Sequence, residues 1–118
     1  MTDNPHTTQH IVSAYDSELK DLVKDVLEMG DKVLGMMRYA RKALDTPSEE
    51  LILEARALDK EINALDLGLQ KKSTKLIALR QPMGVDLRFI ISVLKIASSM
   101  ERMGDLAKST CRKAGRFT

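Results

Sequence analysis

Apolar residues recur along the first third of the chain in steps of three and four: Val12, Tyr15, Leu19, Leu22, Val26, Met29, Val33, Met36, Ala40 and Ala43. An unbroken 3-4 spacing keeps one stripe turned toward a partner helix, which is the pattern of left-handed bundle packing. It predicts a helix from about His10 to Leu44, preceded by a flexible polar tail over residues 1–9. The stretch "DTPSEE" interrupts the pattern. Thr46 is placed to cap the next helix, Pro47 suits a first helical position, and Glu49 stands three residues after Thr46, completing a capping box.

A second helix carries Leu51, Ala55, Leu58, Ile62, Leu65, Leu69 and Leu76 on one stripe and ends at "RQPMG", where proline and glycine break the period. A third shows Phe89, Ile90, Val93, Leu94, Ala97, Met100, Gly104 and Ala107 on one arc. Asp86 is positioned to complement its N-terminal dipole and, with Arg88, to fix its start through charge-assisted hydrogen bonds. Short connections force neighbouring helices antiparallel. The predicted fold is all-α: an antiparallel up-down-up three-helix bundle with long helices, one unit spanning residues 10–116.

Composition narrows the class. At 118 residues the chain can bury a core without disulfides or metal. Aromatics make up only 3% of it, so the core is aliphatic. A net charge of +2 is too small to argue for nucleic acid, and "CRKAGR", with only Phe117 beside it to stack on a base, does not change that. No nucleic-acid partner is expected. The single Cys111 cannot form an internal disulfide and falls inside the apolar arc of the third helix, which points to a reducing, cytoplasmic setting and a core role. No apolar run reaches the ~20 residues of a membrane span.

Within "SSMERMGDLAKS", Glu101 and Asp105 lie one helical turn apart, on the flank of the apolar stripe rather than on its outer face. On the second helix Asp66, Asp59 and Asn63 share a flank in the same way. Two such flanks meeting along a seam would offer hard oxygen ligands to a cation. The plainer reading is that these acids pair across the groove with basic residues such as Arg56, Lys60, Lys108 and Arg112. Spacing alone leaves both open. No histidine accompanies the acids, since His6 and His10 precede the bundle. A carboxylate-bridged di-metal enzyme normally draws Glu-x-x-His pairs from four helices, and neither those pairs nor a Gly-rich phosphate loop is present.

The run from Leu79 to Ser109 resembles the signature of the PhoU family of phosphate-transport accessory proteins. Arg80-Gln81-Pro82, Asp86-Leu87-Arg88, Leu94-Lys95-Ile96 and Glu101-Arg102-Met103-Gly104-Asp105-Leu106-Ala107 match its motifs in order. "YDSELKDLVKDVLEMG" and "LDKEINALD" are similar to its first two helices, so the likeness runs from Tyr15 to Ala114. The resemblance implies one three-helix repeat where the family usually has two, matching the N-terminal half of a two-repeat protein or else a natural single-repeat relative. It implies a non-catalytic negative regulator of the phosphate-starvation response, an adaptor between the ATPase of the phosphate ABC transporter and a sensor histidine kinase, peripheral to membrane complexes but not inserted. Its acidic motifs fall on Glu101 and Asp105, and in a variant form on Asp59 and Asn63. The metal implied is a divalent or ferric ion held by oxygen: iron, zinc, magnesium or manganese. Ser99 and Ser109 stand where the family often has Asp and Asn, which thins the ligand set. A chain with one repeat is expected to form a homodimer in imitation of the paired repeats. The competing reading is a structural or dimerisation bundle, or a metal-binding protein with no signalling role.

Overall fold

The computed structural model describes the backbone of residues 5–117 and the side chains of residues 12–116. Three helices run up, down and up: α1 (Pro5–Asp45), α2 (Glu49–Arg80) and α3 (Val85–Lys113), with a 3-10 turn over Ala114–Phe117 closing the end. They form a rod of 72 × 21 × 16 Å. The helix α1 starts at Pro5, ahead of the expected His10. A proline is suited to the first turn, where its missing N–H is not needed. Met1–Asn4 of the expected tail lie outside the described residues.

The core follows the 3-4 rows. Leu22, Met29, Val33, Met36, Ala40 and Ala43 come from α1; Ala55, Ile62, Leu69 and Leu76 from α2; and Ile90, Val93, Ala97, Ala107 and Cys111 from α3. Two expected core members stand outside it: Val12 and Phe89 are exposed. Gly104 is buried against the other two helices, yet a Cβ there would meet Ile62 Cδ1 at 3.5 Å and Val33 Cγ2 at 3.8 Å. That is ordinary contact, so the space excludes side chains larger than alanine rather than alanine itself.

The two turns differ from expectation in their capping. Ser48, not Thr46, caps α2: its backbone is extended and its hydroxyl accepts from Leu51 N–H at 3.2 Å. Pro47 therefore precedes the cap instead of opening the helix, and Thr46 N–H is spent on the Lys42 carbonyl behind it. Ser48→Ala should cost about 1 kcal/mol, read as a lower urea midpoint; an unchanged midpoint would show the cap to be idle. At the other end Gln81 ends α2 in the left-handed region at φ 48°, donating its N–H to the Ile77 carbonyl. Gly84 at φ 61° precedes α3 and has no side chain to cap it. Asp86 stands in the first turn, where its charge suits the dipole, but the hydrogen-bonded cap expected of it is absent from the described contacts. Its charge acts instead on Tyr15, whose phenol pKa is raised by burial first and then by Asp86.

Candidate functional site: an acidic ladder between α2 and α3

The seam of α2 has two kinds of row. Ala55, Ile62, Leu69 and Leu76 repeat every seven residues and are apolar; Asp59, Asp66 and Ser73 repeat every seven residues beside them and are polar. All are buried, with Asp59 at 7% and Asp66 at 8% exposure. A carboxylate inside a helical seam is costly unless it meets a partner. The partners come from α3, where Lys108, Glu101 and Leu94 also repeat every seven residues. Because the helices are antiparallel, each step forward on one meets a step back on the other. Lys108 faces Asp59 and Glu101 faces Asp66; the next step brings Ser73 level with Leu94. Among the described residues Ser73 Oγ has no hydrogen-bond partner.

Each rung has its own chemistry. Lys108 Nζ donates to Asp59 Oδ2 at 2.8 Å and lies 3.9 Å from Asp105 Oδ1. Asn63 Nδ2 donates to the same Asp59 oxygen at 3.4 Å, and Gln70 Nε2 donates to Asp66 Oδ2 at 3.0 Å. Glu101 faces Asp66, and hydrogen bonding between the two carboxyls, then burial, then the charges of Asp66, Asp105 and Asp59 raise the Glu101 pKa above the ordinary glutamate value.

All four residues expected at a metal site therefore sit along this one seam, though unequally: Asp59 is buried, Glu101 is half-buried, and Asn63 and Asp105 are exposed. The plainer reading holds for Asp59, which Lys108 answers across the seam. Asp66 belongs to the ladder as fully as Asp59, and its place seven residues on, with apolar residues between, was the signal for it. By donor chemistry the set suits a hard cation, and the smaller part of the Glu101 shift that comes from the neighbouring acid charges, after hydrogen bonding and burial, is what a bound cation would relieve. By arrangement it is not ready-made: among the described residues no three His, Cys, Asp or Glu side chains gather as a metal would require.

The raised Glu101 pKa carries a sign for stability. Across the interval between the ordinary value and the raised one, the folded chain holds more protons than the unfolded chain, so stability falls as pH rises through it. Glu101→Gln removes that ionisation. In chelator, the variant should have a higher urea midpoint than the parent at neutral pH, and the gain should vanish below about pH 4.3. A gain independent of pH would place its cause elsewhere.

A family model described as the PhoU domain matches residues 26–114, most of the chain and all of this seam. The chain belongs to the PhoU domain family. It is 36% identical over 107 residues to the phosphate-specific transport system accessory protein PhoU homolog of Caulobacter vibrioides, covering 91% of this chain and 46% of that one. Its identity to the corresponding homolog of Pseudomonas aeruginosa is 32% over 114 residues, covering 97% and 47%. With the accessory protein PhoU of Serratia marcescens it is 30% over 112 residues, covering 95% and 46%. The chain thus spans about half the length of the curated relatives it matches. No solved structure matches it significantly. Among the described residues no helix is long and apolar enough to cross a membrane.

Proposed function

We propose that the chain serves a phosphate transport system as a non-catalytic accessory component. In this reading it links the transporter ATPase to a sensor histidine kinase and holds the kinase quiet when phosphate is plentiful. The observation that carries it is the PhoU-domain match over residues 26–114, together with relatives named as phosphate-specific transport system accessory proteins. The acidic ladder adds an ion-responsive element. Glu101, Asp105, Asp59 and Asn63, with Asp66 beside them, would hold a divalent or ferric cation through oxygen alone. The Lys108 ammonium already neutralises Asp59, so an incoming cation competes with a lysine for that carboxylate.

Two measurements test the two parts separately. Purified chain should retain the transporter ATPase and the cytoplasmic part of the kinase in a pull-down; retention of neither would sink the adaptor role. Glu101→Ala with Asp105→Ala should abolish metal uptake while leaving helicity intact, and an unchanged metal stoichiometry would remove the ladder from metal binding without touching the adaptor role.

A further inference from the structure

The three seams of the bundle are not closed alike. Across α1 and α2, Lys72 bridges Asp21 at 2.7 Å and Asp25 at 2.8 Å, Arg80 bridges Glu18 at 2.8 Å, and Lys32 reaches Glu61 at 3.5 Å. Across α2 and α3, Lys108 bridges Asp59. Among the described residues no ion pair joins α1 to α3. That seam instead opens into an apolar groove of ≈ 590 Å³.

Its walls carry a second 3-4 pattern beside the core one. On α1 it runs Leu27, Gly30, Leu34, Met37 and on α3 Ile96, Ser99, Met103, and the same rows continue past the groove through Val23, Phe89 and Ser92. Leu27 is 64% exposed, Leu34 52% and Ile96 47%, although each stands where a coiled-coil seam position would. Large and small residues alternate on the α3 wall, leaving holes at Ser92 and Ser99 for the knobs of a further helix, while on the α1 wall the Met100 thioether packs over Gly30. An apolar face with seam periodicity on two parallel helices is shaped for helical packing, not merely tolerated in water.

The charge around the groove says which helix. Along the rows that line and border it, α1 contributes Lys20, Lys24, Arg38 and Arg41, and α3 contributes Arg88, Lys95, Arg102 and Lys113. Among the described residues none of these eight cations makes an ion pair. Only Asp16, Asp31, Asp45 and Asp86 stand against them in the same rows. This one face has an excess of four positive charges in a chain whose net charge is +2. The row Arg88, Lys95, Arg102 contains no acid at all. Two-fold pairing of this face with a second copy sets that row either against itself or against the mixed row Lys24, Asp31, Arg38, Asp45, and neither arrangement neutralises it.

We propose that the α1–α3 groove is a docking site for an amphipathic helix with a 3-4 apolar seam flanked by aspartate and glutamate. Apolar burial in the groove supplies the affinity; the cationic rows supply orientation and discrimination against basic helices. The inference stands on this face alone and does not depend on the phosphate-system role.

The test uses the 118-residue chain and two fluorescein-labelled helical peptides with leucine at the seam positions, one carrying glutamate and the other lysine on its flanks. Fluorescence anisotropy should show the glutamate peptide binding at least about tenfold tighter than the lysine peptide, and more weakly as salt rises. Leu34→Glu should abolish binding. Arg88→Glu, Lys95→Glu and Arg102→Glu together should reverse the preference. All four sites are exposed, and circular dichroism confirms that the variants remain folded. Equal binding of the two peptides, or binding of neither, overturns the proposal. So does a chain that floats with phosphatidylglycerol–phosphatidylcholine vesicles while ignoring both peptides, which would give the face to a membrane. A chain that sediments at twice 13.2 kDa until Leu34→Glu makes it monomeric, again ignoring both peptides, would give the face to a second copy.

Discussion

Ile62→Ala is expected to lower the stability of the chain by about 2–5 kcal/mol, measured by urea unfolding followed at 222 nm. Ile62 is fully buried, with its Cδ1 against the side of Gly104 where a Cβ would stand. Glycine cannot fill the space that truncation leaves, so the loss exceeds simple transfer of the missing methyl groups. A domain of this size has only about 5–15 kcal/mol in all. The site also places Ile62 between the two rungs of the ladder, three residues after Asp59 and four before Asp66. Collapse there brings α2 closer to α3 and changes how the carboxylates face one another, so metal uptake should move with stability. A midpoint within the scatter of the parent would show that the core at this level repacks freely.

Lys108→Met should act in two opposed ways. Without the ammonium, the buried Asp59 keeps, among the described residues, only the long contact from Asn63. An acceptor left so costs about 1–3 kcal/mol, and the lower end applies because the lysine side chain is a third exposed and water screens the pair. The same change removes the cation that competes for the ladder. Manganese titration should therefore restore the lost midpoint and show tighter uptake than in the parent. A variant as stable as the parent, with uptake unaltered, would reduce the Asp59–Lys108 pair to a surface contact.

The helices and their breaks were legible because α1 and α3 follow one period with few exceptions, and because "DTPSEE" and "RQPMG" interrupt it. Single residues at the turns were less so. Thr46, Pro47 and Ser48 offer overlapping capping solutions, and which hydroxyl faces the first free N–H depends on the angle at which the chain enters α2. The hydrogen-bonding role expected of Asp86 failed for a related reason, although its place in the first turn was read correctly: the sharp turn through Gln81 and Gly84 sets the backbone before the side chain has a choice. Phe89 reads as core by period, yet it lies at the border between the core row and the second seam, where a wheel cannot separate buried from half-covered. In the candidate site, the flanks of Asp59 and Glu101 were readable from spacing within each helix. Lys108 was among the bases expected to answer these acids, but which acid it meets, and the pairing of Asp66 with Glu101, depend on the register between antiparallel helices. That register follows from the length of the α2–α3 turn and from Ile62 packing on Gly104.

The rod described above is 72 Å long and only 16 Å across its thinnest direction. Its core is about one side chain deep, and each layer touches mainly the layers directly above and below. Breathing of such a body need not be global. Amide exchange should be fastest at the α2–α3 turn and slowest around Met29, Val33, Ile62 and Gly104, where all three helices meet. The acidic ladder lies within that slow middle, so an ion or partner acting there would grip the chain at its least yielding point, while either end remained free to loosen and re-form around whatever docks.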